Sequence, residues 1–370
     1  MIPISEPDIS EREIEYVKDA VSSGWVSSHG KYIEEFESKF IAYIGTSRGL
    51  TCSNGTSALH LALSALGIGK GDEVIVPDLT FISPVNAVLY NNAVPVLCDV
   101  NRENWSIDPD EVEEKITRRT KAIIAVHLYG NSANMDRLVK ISEQYGLYLI
   151  EDTAESLGTT YRGKKLGSFG DIGCFSFYGN KTITTGEGGF CTTNQDELSE
   201  RMLLLRDHGM RQDKRYWHDF IGYNYRMTNL QAALGVAQLE RIKHFITKKR
   251  VIAEHYEKRL KGSITTHPIG KNYKGTFWLY SILVDNFHLR EALIKYLQKN
   301  EIEVRRFFYP AHSMPIYERF SKGKYLVAQD ISERGINLPS GVKLTIEQID
   351  YISDKIVDFL NHRRNEAKEV

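Results

Sequence analysis

Between Leu50 and Asp152, short β-branched runs alternate with stretches whose apolar residues recur at helical spacing. The runs at 73–77 (EVIVP), 94–100 (VPVLCDV), 121–126 (KAIIAV) and 147–150 (LYLI) are apolar almost throughout, as strands buried on both faces are. Helices fit between them at 57–66, 83–90, 108–116 and 135–145. This alternation predicts an α/β fold in which a mainly parallel sheet is covered by helices and binds ligands at its strand ends.

The flanks carry clear punctuation. Ser10 and Glu13 form a capping box ahead of Ile14, Val17 and Val21, which predicts a first helix that stops at Gly24. A glycine-flanked loop with Trp25, Ser27, Ser28 and His29 follows, then a helix with Ile33, Phe36 and Phe40 on one face. Beyond 190 the pattern predicts a helix at 196–205, a polar and aromatic loop at 206–219, and one long helix over 230–260 that bridges domains. After Gly262 come a strand (TFWLYSILV), a helix (HLREALIKYLQKN), a strand (EIEVRRFFYP) and a last helix at 345–360, a smaller α+β unit. The expected division is residues 1–245 and 246–370.

Composition narrows the function classes. A hydrophobic share of 42% beside 26% charged residues is that of an ordinary globular chain of 370 residues. The net charge of −1 offers no electrostatic case for nucleic acid or an anionic membrane. The acidic N-terminus lacks the apolar core of a secretory signal, and no apolar run is long enough to span a bilayer, so a cytoplasmic protein is expected. Cys52, Cys98, Cys174 and Cys191 are widely spaced in mostly apolar runs and read as reduced, packed thiols rather than a disulfide frame or a zinc site; no metal is expected.

Candidate chemistry gathers in three stretches. In DIGCFSFYGNKTITTGEGGF, Lys181 stands between an apolar strand and a glycine-rich turn into another strand. A lysine enclosed there must be paired or lose its charge, which suits a carbonyl-bonding amine. The segment from Cys52 to Ser57 precedes the apolar helix ALHLALSAL, so its N–H groups and the Thr56 and Ser57 hydroxyls can ring a phosphate, or merely cap the helix. Glu151 and Asp152 close the LYLI strand and point to opposite faces, with Asp152 the candidate for the crevice. A phosphate cup, a strand-end aspartate and a buried lysine are together the contacts that pyridoxal 5′-phosphate (PLP) requires.

The blocks GWVSSHGKYIEEFE, SNGTSALHLALSALGIGKGDEVIVP, EDTAESLG, FSFYGNKTITTGEGG and NYRMTNLQAALGVAQLERI resemble those of the DegT/DnrJ/EryC1/StrS sugar aminotransferases, fold-type I PLP enzymes, over nearly the whole chain. The resemblance implies that Lys181 is the Schiff-base lysine and that Asp152 pairs with the pyridine nitrogen. It implies that Gly55, Thr56, Ser57 and Ser176 hold the phosphate and that Phe81 stacks on the ring. Glu155 stands where many relatives carry glutamine near the ring hydroxyl. Asn224 is implied to reach the phosphate of a neighbouring subunit, making a homodimer with shared sites. Arg226 is a candidate for a donor carboxylate, a substrate phosphate or a structural ion pair at the interface. Tyr309 and His312, with Phe308, lie on a loop expected to close over the hexose, and Trp25, Ser27 and His29 are further substrate candidates.

The implied reaction moves an amino group from L-glutamate to a nucleotide-linked 4-keto-6-deoxyhexose, with GDP-4-keto-6-deoxymannose the first choice. Another nucleotide ketosugar, a small phosphorylated ketone, or a PLP-binding regulator without turnover are the alternatives.

Overall fold

The computed structural model describes residues 1–211 and 213–366. Two helices open the chain, α1 (Glu11–Ser22) and α2 (Lys31–Ile44), followed by strand β1 (Arg48–Cys52). The alternating region then runs α3 (Gly55–Ala65), β2 (Glu73–Pro77), α4 (Ser83–Tyr90), β3 (Val94–Cys98), α5 (Pro109–Glu114), β4 (Thr120–Val126), α6 (Met135–Tyr145) and β5 (Tyr148–Asp152). Each expected strand and helix of this stretch is present, with ends moved by a few residues.

A small hairpin of β6 (Thr160–Tyr161) and β7 (Lys164–Lys165) leads to β8 (Ile172–Ser176), β9 (Gly189–Thr193) and α7 (Asp196–Arg206). The main sheet has the order β1-β9-β8-β5-β4-β2-β3, and β9 alone runs antiparallel to its neighbours. The sheet is therefore mainly parallel, as the sequence pattern required. Phe36 and Phe40 of α2 are fully buried against Phe175, Phe177 and Phe190, so this helix seals one side of β8 and β9.

The long helix expected over 230–260 is two helices, α8 (Asn229–Glu240) and α9 (Ile242–Leu260), broken at Arg241. No proline or glycine marks this break. Arg241 is drawn off the helix path by Asp8 at 2.6 Å and Glu13 at 2.9 Å, partners from the other end of the chain. On α1 itself, Glu13 and Ala20 are buried, whereas Ile14 and Val21 stand more than half exposed.

The C-terminal region holds β10 (Thr265–Thr266), β11 (Tyr273–Lys274), β12 (Tyr280–Leu283), α10 (Phe287–Lys299), β13 (Arg305–Arg306), α11 (Leu326–Arg334), β14 (Gly335–Leu338) and α12 (Ile346–Glu366). Its sheet runs β10-β12-β14-β13, and the central strand β14 was not anticipated because GINL is only four residues long. β11 instead pairs with β6, so this region is stitched to the main one. Gln212, inside the loop expected over 206–219, and residues 367–370 of the expected small domain lie outside the described residues. Among the described residues no helix is long and apolar enough to cross a membrane.

Candidate active site

Three strand ends converge on one lysine. Lys181 sits on the turn between β8 and β9, where its N–H donates to the Tyr178 carbonyl at 2.9 Å. Its side chain keeps 12% exposure, and its Nζ lies 3.8 Å from Glu155 Oε1. The same nitrogen lies 3.8 Å from the centre of the Trp278 ring. Burial lowers the Lys181 pKa; the carboxylates of Glu155 and Asp152 work against that shift, and Arg305 reinforces it.

Asp152 ends β5, buried, with its Oδ1 accepting the Ala154 N–H at 3.0 Å. Burial raises its pKa, while the Ala154 N–H, Lys181 and His127 restrain the rise. Glu151, one residue earlier, faces the other way and is held by Gly167 N–H at 2.8 Å, Phe169 N–H at 2.6 Å and Gly170 N–H at 2.9 Å. The divergence expected of two carboxylates leaving one strand is what the backbone produces. Glu155 is buried, accepts the Tyr129 N–H at 2.9 Å, and has its carboxyl pushed up to about 7 by that burial.

The start of α3 supplies the anion cup. Asn54 caps the helix, its side chain accepting the Ser57 N–H at 2.8 Å while Ser57 Oγ accepts the Asn54 N–H at 3.0 Å. The Ser57 hydroxyl also donates to the Asn54 carbonyl at 2.7 Å, so it is engaged in the cap rather than aimed outward. The first intrahelical bond runs from Ala58 N–H to the Asn54 carbonyl, leaving the N–H groups of Gly55 and Thr56 at the mouth. A Cβ on Gly55 would fall 2.8 Å from Ser176 Cβ and 3.3 Å from Ser176 Oγ, which places the Ser176 hydroxyl against the helix start. Thr56 Oγ1 meets Ser83 Oγ at 2.7 Å. Phosphate, ring nitrogen and aldehyde thus each have a partner of the right chemistry here, and the residues fit PLP.

The other sequence candidates are placed variously. Phe81 is half exposed, its ring 5.6 Å from that of Phe308, which stacks on Tyr129 at 5.4 Å. Asn224 is exposed and accepts from Arg226 at 3.3 Å. Arg226 pairs within the chain with Asp207 at 2.9 Å. His312 is clamped on buried Asp78, with Nδ1 at 2.6 Å and its N–H donating at 2.8 Å; Tyr309 is exposed. The loop of Trp25, Ser27 and His29 is tied to the start of α8, since Asn229 donates to the Trp25 carbonyl at 2.7 Å and the Ser27 carbonyl at 2.6 Å.

Sequence reasoning missed Trp278, Tyr129 and His127. Trp278 read as one more aromatic in a strand, 97 positions from Lys181, and nothing local distinguishes it. Tyr129 had a fainter signal, the strand-end HLYG, where the structure gives it the uncommon left-handed φ of +53°.

Residues 7–357 match the DegT/DnrJ/EryC1/StrS aminotransferase family. The chain belongs to this family. A DegT/DnrJ/EryC1/StrS member so placed is a PLP-dependent sugar aminotransferase. Its similar relatives include GDP-perosamine synthase of Escherichia coli O157:H7, 47% identical over 98% of this chain and 99% of that one. GDP-perosamine synthase of Vibrio cholerae is 46% identical over 98% and 100%. Among solved structures, Streptococcus pneumoniae Spr1654 in its PMP form superposes with a TM-score of 0.95 at 29% identity, covering 99% of each chain. Helicobacter pylori PseC, an aminotransferase involved in pseudaminic acid biosynthesis, reaches 0.93 at 28% identity over 98% and 99%.

Proposed function

We propose that this protein moves the amino group of L-glutamate to the 4-keto group of GDP-4-keto-6-deoxymannose, yielding GDP-perosamine. The observation that carries the reading is the buried Lys181 amine, set 3.8 Å from Glu155 and within the field of Asp152. The choice of GDP-linked ketosugar is supported by the GDP-perosamine synthases at 46% and 47% identity.

PLP supplies the electron sink that lets an amino group leave one carbon and join another. The chain's own groups do the remaining work. The N–H groups of Gly55 and Thr56, with Ser176, would hold the phosphate at the positive end of α3, and the Ser57 cap keeps that end rigid. Asp152 would hold the ring nitrogen in its protonated form, and Phe81 would contact the ring. Lys181 would anchor the cofactor through its aldehyde, and its Nζ, once released, would serve as general base toward the glutamate α-proton and as general acid in the second half-reaction. Glu155 lies 3.8 Å from the amine and would face the ring hydroxyl. Tyr309 and the loop carrying Trp25, Ser27 and His29 are read as sugar contacts, while His312 orients its loop through Asp78.

A homodimer completes the site in this reading, with the exposed Asn224 reaching the neighbour's phosphate. Ile14, Val21, Trp25, Phe220 and Ile221 stand between 55% and 91% exposed, which supports such an interface. A division near residues 245/246 has support in a second core cluster from α9, β12, α10, β14 and α12, although the cut itself falls inside α9 and Trp278, Phe307 and Tyr317 pack into the main core. A cytoplasmic setting suits a nucleotide-linked substrate and four free, buried cysteines.

Glutamate should bleach the visible band of the PLP-loaded protein, and GDP-4-keto-6-deoxymannose should restore it. A panel of UDP- and dTDP-linked 4-ketosugars and simple keto-phosphates should not. Failure of every nucleotide sugar to restore the band removes this function.

A further inference from the structure

Trp278 touches the reacting amine although no part of the sequence pattern marked it. Its ring centre lies 3.8 Å from Lys181 Nζ, and the residue is 5% exposed. Several contacts fix the ring. The indole N–H donates to the Asn180 carbonyl at 2.8 Å, one residue before the lysine. The Trp278 carbonyl accepts from the buried Lys249 Nζ at 3.0 Å, and the Tyr129 ring lies nearly parallel, 23° away, at 6.2 Å. An aromatic face held under an amine attracts the ammonium form and is indifferent to the neutral one.

We propose that Trp278 and Glu155 form the resting site of the Lys181 amine, the place it occupies whenever it is not bonded to the cofactor. Trp278 is the positioning residue and Glu155 the group that exchanges the amine's proton. The proposal rests on the reading of Lys181 as the cofactor-bonding lysine. A long side chain set free in mid-reaction has many rotamers, and a fixed aromatic platform with one carboxylate restricts it to the few from which it can act. The carboxylate oxygen and the ring centre, both 3.8 Å from Nζ, meet that requirement.

The charged groups around the amine set the direction of any change. Asp152 comes from β5, Glu155 from the turn after it and Arg305 from β13, with His127 and Tyr129 behind the two carboxylates. Both carboxylates and the Trp278 ring favour the ammonium, whereas burial and Arg305 oppose it. Only the neutral amine condenses with the PLP aldehyde, releasing one water, so the proton must first pass to Glu155 or to solvent.

The test follows the rate at which cofactor-free protein gains the visible band after PLP is added, measured across the neutral pH range. Trp278→Leu removes the face, and its loading midpoint should fall by roughly one pH unit, with Trp278→Phe between it and the parent. Glu155→Gln should shift the midpoint the same way. Should Trp278→Leu not fold, Trp278→Phe and Glu155→Gln carry the decision. Identical midpoints for the parent and these variants overturn the resting site. A parent protein that gains no band, or a Lys181→Ala protein that does, overturns the reading of Lys181 itself.

Discussion

Oε1 of Glu155 lies 3.8 Å from Nζ of Lys181, while its other oxygen accepts the Tyr129 N–H at 2.9 Å. Burial pushes each toward its neutral form, raising the acid and lowering the base, while the attraction between them works against both shifts.

The acid leaves a trace in stability. Burial raises the Glu155 pKa from 4.5 to about 7, so between those values the unfolded chain loses its proton while the folded one keeps it. Stability from this group is full below the unfolded value and declines as pH rises through that window. Cofactor-free Glu155→Gln should therefore gain on the parent from the acid side of the window to its alkaline side, by roughly 3 kcal/mol. Denaturant melts at both ends measure it, and a gap that does not change with pH refutes the shift.

Gly55→Ala tests the cup. Its Cβ would lie 2.8 Å from Ser176 Cβ, a contact between two positions fixed by backbone. PLP affinity should fall about tenfold or more, the loss of one charge-assisted contact to the phosphate, while the fold persists. Equilibrium titration of the cofactor-free variant decides it. Unaltered affinity excludes this helix start as the phosphate site.

The proposed homodimer would cover the exposed apolar side of α1. Ile14 and Val21 are 55% and 56% exposed, one above the other on the helix. Val21→Glu should shift sedimentation toward monomer and lower activity in proportion, with little change in thermal stability of the monomer. A variant that stays dimeric and active places the interface elsewhere.

His312→Ala should cost on the order of 1–3 kcal/mol of stability, because Asp78, fully buried, loses its 2.6 Å side-chain partner and keeps only the backbone N–H. Asp78→Asn with His312→Ala should recover part of that loss, since an amide tolerates burial better than an unpaired carboxylate. Chemical denaturation of the two variants distinguishes the clamp from a role confined to the sugar, which would alter KM alone.

Much of this was legible before the structure because the signals are local. β-branched runs predict buried strands, capping boxes predict helix starts, and a lysine beside glycines between two strands needs only its neighbours to be noticed. Those signals placed Lys181, Asp152 and the α3 start, and the family match follows from the same stretches. Tertiary structure decided whatever depends on partners far along the chain. Arg241 breaks a helix because Asp8 and Glu13 pull on it, Arg226 is engaged by Asp207, and His312 is spent on Asp78. Trp278 reaches Lys181 because the C-terminal region folds back over the strand ends. A pattern of periods and turns encodes which residues form an element, whereas contact energies between distant residues determine which of them meet.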